Sequence, residues 1–159
     1  ELIIIGFTAL LAGTLVYLAD RPPEATYFVA EIMSGLSLYN VLPPVFARIG
    51  NVLPAFVHPF AFSLITAGLV ARTLRGCLLS CLLWLFLNIA FELGQHFKQS
   101  ALALLPQWFD HVPFLENCRG FFRNGTFDPF DLLAMLLGAI LAFTLMAVVY
   151  TRKKGMLSK

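Results

Sequence analysis

One acidic side chain, Glu92, lies well inside a long apolar segment of the sequence. A charge at the centre of a membrane-spanning helix costs about 3 kcal/mol on insertion scales, so this carboxyl group needs a partner or a proton. On a helix, Asn88 and Gln95 project from the same face as Glu92, and His96 lies beside them. The third apolar segment therefore carries a polar stripe.

Polar residues also stand where two other apolar segments begin. His58 lies near the start of the second segment, and Asp128 and Asp131 lie at the start of the fourth. If consecutive segments are antiparallel helices, these residues meet Glu92 at one level of a bundle. The functional interpretation is a polar pocket, to which Arg123 of the preceding loop is a further contributor. The candidate residues are His58, Asn88, Glu92, Gln95, His96, Arg123, Asp128 and Asp131.

Structural roles offer an alternative explanation of the same residues. His96, Asp128 and Asp131 would meet water at the membrane surface, where an acidic residue also favours a helix N-terminus through the helix dipole. Glu92 and His58 would each make a buried hydrogen bond. The sequence leaves both interpretations open.

Metal binding and nucleophilic catalysis have little support in the sequence. His and carboxylate side chains can bind zinc, but HxxxH, HExxH and CxxC spacings are absent from the sequence. Cys77, Cys81 and Cys118 are too few for a disulfide framework, and no base is placed beside Cys118. The basic residues form no stripe with aromatic residues, so nucleic-acid binding is not predicted. We predict no metal and no cofactor, and whether the protein is an enzyme stays open.

Composition indicates that lipid is the solvent of this chain. The 159 residues are 59% hydrophobic and 13% charged, whereas soluble domains are about 45–50% apolar and about 25% charged. Crossing about 30 Å of hydrocarbon takes about 20 helical residues. Four segments approach or reach that length, at about residues 2–19, 55–70, 77–97 and 131–150. The sequence predicts an all-α membrane protein in which residues 1–159 form a single domain of four transmembrane helices.

Two long loops connect these segments and are themselves partly apolar. The first contains the apolar stretch Ala25–Leu38, and the second contains Ala101–Phe109 with Trp108. Tryptophan favours the boundary between membrane and water. We predict that each loop contains a short helix lying on the membrane surface.

Basic residues set the predicted orientation, because Lys and Arg near helix ends are retained in the cytoplasm. They cluster in the turn between the second and third segments and in the C-terminal tail: Arg72, Arg75, Arg152, Lys153, Lys154 and Lys159. Four spans place this turn and this tail on the same side. Both termini are therefore predicted to be cytoplasmic, and the candidate polar residues to lie in the outer leaflet.

The order of these motifs resembles the VanZ-like family of small bacterial membrane proteins. In that pattern a histidine opens the second span, Glu-x-x-Gln closes the third, and Asp-x-x-Asp and then a glycine belong to the fourth. The matching residues are His58, Glu92, Gln95, Asp128, Asp131 and Gly138. The chain departs from the pattern near Ala55 and Gly125 and at Met135, where the family has a basic residue, an arginine and an asparagine. Arg123 is a candidate substitute for that arginine.

The resemblance implies a bacterial inner (cytoplasmic) membrane and a connection with resistance to glycopeptide antibiotics that act on the cell envelope. It implies no defined reaction. Our main hypothesis is that the outer-leaflet polar residues bind or handle the head group of a lipid or of a cell-envelope precursor. The alternative is a small accessory subunit of a larger bacterial membrane complex. Membrane lipids are predicted partners in both cases, and other membrane-protein subunits in the second.

Overall fold

The computed structural model describes residues 1–23, 35–113 and 115–157. This part of the chain is helical and contains no strand. In chain order, its α-helices are α1 (Leu2–Asp20), α2 (Ala47–Val70), α3 (Leu74–His96), α4 (Lys98–Leu104), α5 (Cys118–Asn124) and α6 (Pro129–Leu157). Four of these six helices are long, and α4 and α5 are short elements between α3 and α6.

Length and composition explain the four long helices. They contain 19, 24, 23 and 29 residues, and at about 1.5 Å per residue even the shortest approaches the thickness of a bilayer core. All four are apolar enough to cross a membrane, and a helix pairs its own backbone groups where water is absent. The predicted all-α fold with four candidate membrane spans is confirmed. Most bounds differ from prediction by three residues or fewer, although α6 continues to Leu157.

The second long helix begins at Ala47, well before the predicted start near residue 55. Pro54 lies inside α2, where a proline removes one backbone hydrogen bond. A tertiary contact fixes the early start. The Asp20 carboxylate accepts hydrogen bonds from the N–H groups of Val45 (2.7 Å), Phe46 (2.7 Å) and Ala47 (3.0 Å). A helix leaves such N-terminal donors without partners of its own.

Of the two predicted surface helices, only the second lies largely within the described residues. Residues 24–34, which include most of the first one, lie outside the described residues. In the second loop, α4 is followed by a short 3₁₀ helix at Gln107–His111. Trp108 in this 3₁₀ helix is 57% exposed, and its contact with a membrane surface stays a prediction.

The central helix of the bundle is α2, which packs against α1, α3 and α6. Small residues allow the helices to approach closely. Gly13 of α1 lies against Val57 of α2, and a Cβ atom at Gly138 of α6 would overlap the carbonyl oxygen of Phe56. Helices in lipid associate through such close packing, because lipid tails are as apolar as the helix surfaces.

The helix directions define two ends of the bundle. Gly6 of α1 lies against Ile65 of α2, while Gly50 of α2 lies near Val16 of α1, so these helices are antiparallel. Residues 71–73 join α2 to α3 in a short turn. We call this the turn end. The opposite end, called the loop end, holds the ends of α1 and α3 and the starts of α2 and α6, and most of the predicted polar residues belong to it.

Candidate functional site

Glu92, near the end of α3, has a partner on the chain segment that enters α6. Its side chain is only 5% exposed, and its Oε1 atom accepts a hydrogen bond of 2.8 Å from the backbone N–H of Asp128. The Asp128 carboxylate in turn accepts a hydrogen bond of 2.9 Å from the N–H of Phe130, as a residue preceding a helix commonly does. The Glu92 carboxylate therefore holds the end of α3 against the segment that enters α6, and the Asp128 carboxylate stabilises the local turn there.

Asp131 lies in the first turn of α6 and is less completely paired. Its Oδ1 atom is buried and accepts no hydrogen bond from the described residues. The carboxyl group is within electrostatic range of Glu92, Asp128 and Arg21. The N-terminus of α6 favours a negative charge here, but a buried acceptor without a donor has a free-energy cost of about 1–3 kcal/mol.

The cation of the site is Arg21, which directly follows α1. Its Nη2 atom donates a hydrogen bond of 2.9 Å to the carbonyl oxygen of Asn51, and its guanidinium group lies 5.1 Å from the ring centroid of Tyr17. This guanidinium interacts electrostatically with Asp131 and His58. Sequence reasoning missed both Tyr17 and Arg21. Arg21 could have been found from its position, because it directly follows the first predicted span at the same level as the acidic residues.

His58 lies deeper in the bundle than predicted. It is seven residues beyond Asn51, the partner of Arg21, and therefore about 10 Å further along α2. The cause is the early start of α2, which leaves residues 47–54 nearer the loop end. The imidazole is partly buried and packs on Phe62 with the ring centroids 5.9 Å apart. We use the name polar cluster for Tyr17, Arg21, Glu92, Asp128 and Asp131, with His58 at its deeper edge.

The remaining predicted residues lie outside this cluster or at its margin. Gln95 is 8% exposed, and its side chain packs so closely on Gly125 that a Cβ there would lie 2.6 Å from Oε1. Asn88 donates a hydrogen bond of 2.7 Å to the carbonyl oxygen of Trp84 in its own helix. His96 is exposed and packs on Phe97 and Phe127.

Arg123, the candidate substitute for the family's arginine, belongs to α5. Its side chain is exposed, and its carbonyl oxygen accepts a hydrogen bond of 3.2 Å from Lys98 Nζ. Arg21 is the arginine that interacts electrostatically with Asp131. The positive charge of the site therefore comes from the residue that directly follows α1.

The charged groups of the polar cluster determine which ligands it can bind. It combines three carboxyl groups with one guanidinium group and an imidazole, and within the described residues no three His, Cys, Asp or Glu side chains are placed to hold a metal ion. Arg21 can bind an anionic oxygen, whereas Asp131 can accept an N–H or O–H group. Cys118 lies elsewhere in α5 and is 1% exposed, and burial raises the pKa of its thiol. This thiol is therefore a poor nucleophile.

Comparisons with models of protein families, with curated proteins and with solved structures find no match for this chain.

Proposed function

We propose that this protein binds the polar head group of a membrane lipid or of a cell-envelope precursor at the polar cluster. The observation that carries the proposal is the buried Oδ1 atom of Asp131, which accepts no hydrogen bond from the described residues although it lies near a guanidinium group. A ligand that donates a hydrogen bond to this atom would remove its desolvation cost.

The composition of the cluster suits a head group that carries both donors and acidic oxygens. Arg21 uses one of its five N–H groups on Asn51 and stacks on Tyr17, which leaves donors for a phosphate oxygen. Asp131 and the second oxygen of Glu92 would accept N–H or O–H groups of the ligand. The fatty tails of such a ligand would remain in the bilayer beside the apolar helices.

The distribution of basic residues supports an outer-leaflet location for this activity. Arg72 and Arg75 lie at the turn end, opposite the polar cluster, and basic residues favour the cytoplasmic side. The VanZ-like order of His58, Glu92 and Asp131 supports a bacterial inner membrane. A head group would then enter the polar cluster from the outer leaflet at the loop end.

Lipid analysis of the purified protein tests this proposal. The protein is purified in mild detergent, incubated with a total bacterial lipid extract and washed, and the bound lipids are identified by mass spectrometry. We expect one head-group class to be retained by the wild type and lost from Asp131→Leu, which removes the acceptor at similar size, and from Arg21→Gln. Glu116→Gln removes an exposed acid outside the cluster and is the matched control. Equal lipid retention by all four proteins would refute the proposal.

A second candidate function, an accessory subunit of a membrane complex, is favoured by exposed apolar residues near the loop end. Leu36, Val41, Val45 and Ile49 are 58–72% exposed along the end of the α1–α2 connection and the start of α2. Among the aromatic residues at the start of α6 and in α5, Phe130 is 69% exposed, whereas Phe122 is buried. Size measurement after gentle extraction separates the two functions: a stable particle with one 17.6-kDa chain contradicts the subunit function.

A further inference from the structure

A second site lies on the outside of the bundle, on the side of α3 that faces away from the polar cluster. The last turns of α3 and the short helix α4 enclose an open groove of about 460 Å³, a volume in the range of about 300–1,000 Å³ that small-molecule sites occupy. At about 100° per residue, Gly94 and Phe97 in this groove lie roughly 140–160° around α3 from Glu92. The groove and the polar cluster are therefore separate.

The walls of the groove are apolar and accessible. Leu93, Phe97 and Leu104 are 37%, 58% and 81% exposed, and a contiguous apolar surface of this kind marks a binding site or a contact with lipid. These residues belong to a candidate membrane span and to the helix that directly follows it, so lipid would surround them in a bilayer.

One wall is held rigidly by aromatic packing. Phe122 is 7% exposed and lies so close to Gly94 that a Cβ atom there would overlap its ring. Its ring also packs on Phe91 and Phe121, with centroid separations of 5.5 and 5.3 Å. Closely packed side chains of this kind keep one arrangement, so this wall of the groove is preformed.

Two basic residues border the groove. Lys98 lies three residues before the lining residue Ala101 on the same face of α4, and forms no ion pair among the described residues. Arg119 donates to the carbonyl oxygen of the lining residue Leu105 at 3.5 Å and to Asp110 at 2.6 Å. Three of the five guanidinium N–H groups remain for a further acceptor.

We propose that this groove binds one acyl chain of an anionic phospholipid, whose phosphate group contacts Lys98 and Arg119. The apolar walls match a hydrocarbon chain. Asp110 pairs with Arg119, but Lys98 forms no ion pair among the described residues, so the border keeps a positive charge that complements the head group. The site is independent of head-group binding at the polar cluster, because it uses different residues on another side of α3.

Native mass spectrometry of the detergent-purified protein tests the proposal. Phosphatidylglycerol and phosphatidylcholine with identical acyl chains are titrated in parallel. The wild type is expected to bind one phosphatidylglycerol molecule more tightly than phosphatidylcholine. Ala101→Trp fills the groove and is expected to abolish this binding, whereas Ala103→Trp, on an exposed residue of α4 outside the groove lining, leaves it unchanged.

A second variant separates the charge of the border from the shape of the groove. Lys98→Gln is expected to weaken phosphatidylglycerol binding about fivefold, the effect of removing one basic residue near an anionic lipid, and to leave phosphatidylcholine binding unchanged. Lys98 is a surface residue, so this variant tests the charge even if Ala101→Trp disturbs the fold. Equal affinity of the wild type for both lipids, or unchanged phosphatidylglycerol affinity in a folded Ala101→Trp protein, would overturn the proposal. A copurifying protein displaced by Ala101→Trp would also overturn it.

Discussion

Replacing Asp20 by alanine removes the contact that fixes the start of α2. The carboxylate joins the end of α1 to three successive backbone N–H groups, at 2.7, 2.7 and 3.0 Å. Without it, we expect the segment from Ala47 towards Pro54 to fray, because the proline already weakens the helix at that point. Fraying would also move the carbonyl oxygen of Asn51, to which Arg21 donates. The substitution therefore acts on stability and on the polar cluster together.

The burial of the three donors sets the size of the effect. Only the hydrogen bond to Phe46 is partly buried, whereas those to Val45 and Ala47 are exposed to replacement by water. A buried bond to a charged group contributes about 1.5–3 kcal/mol and an exposed one about 0.5 kcal/mol. We therefore expect Asp20→Ala to lower the free energy of unfolding by about 3 kcal/mol, which corresponds to a shift in midpoint of about 6–12 °C.

The three cysteines supply the assay. Cys77, Cys81 and Cys118 are free and buried, so a thiol-reactive fluorophore added during a temperature ramp in detergent reports the loss of the fold. Asp20→Asn retains one acceptor oxygen and is expected to show about half of the alanine effect. The control is Asp110→Asn, which removes a surface ion pair with Arg119, a type of interaction that contributes about 0–1 kcal/mol. Equal midpoints for Asp20→Ala and Asp110→Asn would refute the reasoning.

Three further predictions concern packing, charge and thiol chemistry. Gly138→Ala should lower the free energy of unfolding by about 1–3 kcal/mol through overpacking, whereas Gly35→Ala, with nothing within 4 Å, should leave it unchanged; equal unfolding midpoints for the two variants would contradict the close helix contact. Arg21→Gln should reduce head-group retention in the lipid assay and Arg123→Gln should not, and the reverse result would move the cation to α5. Near pH 8.5, about the pKa of a free thiol, Cys118 should react with maleimide far more slowly in the folded protein than after heating, because burial raises its pKa; similar rates would contradict its burial.

The sequence by itself determined the number of candidate membrane spans and the need of Glu92 for a partner. Both follow from local quantities. The length of an apolar run decides whether a helix can cross hydrocarbon, and a carboxyl group within such a run requires a hydrogen bond wherever the helix lies. Alternation of four spans also placed the end of α3 beside the start of α6, where Glu92 meets Asp128.

Only the tertiary structure decided which polar groups meet. The Asp20 carboxylate caps a segment 25 residues later in the chain, and Arg21 reaches a carbonyl oxygen 30 residues away. Because α2 begins earlier than predicted, His58 lies deeper in the bundle than the sequence indicated. The hydropathy of a segment depends only on its own residues. The rotation and the axial offset of each helix are instead set by contacts between helices, such as that of Gly138 with Phe56. A residue type therefore shows that a partner is required, and packing decides which residue that partner is.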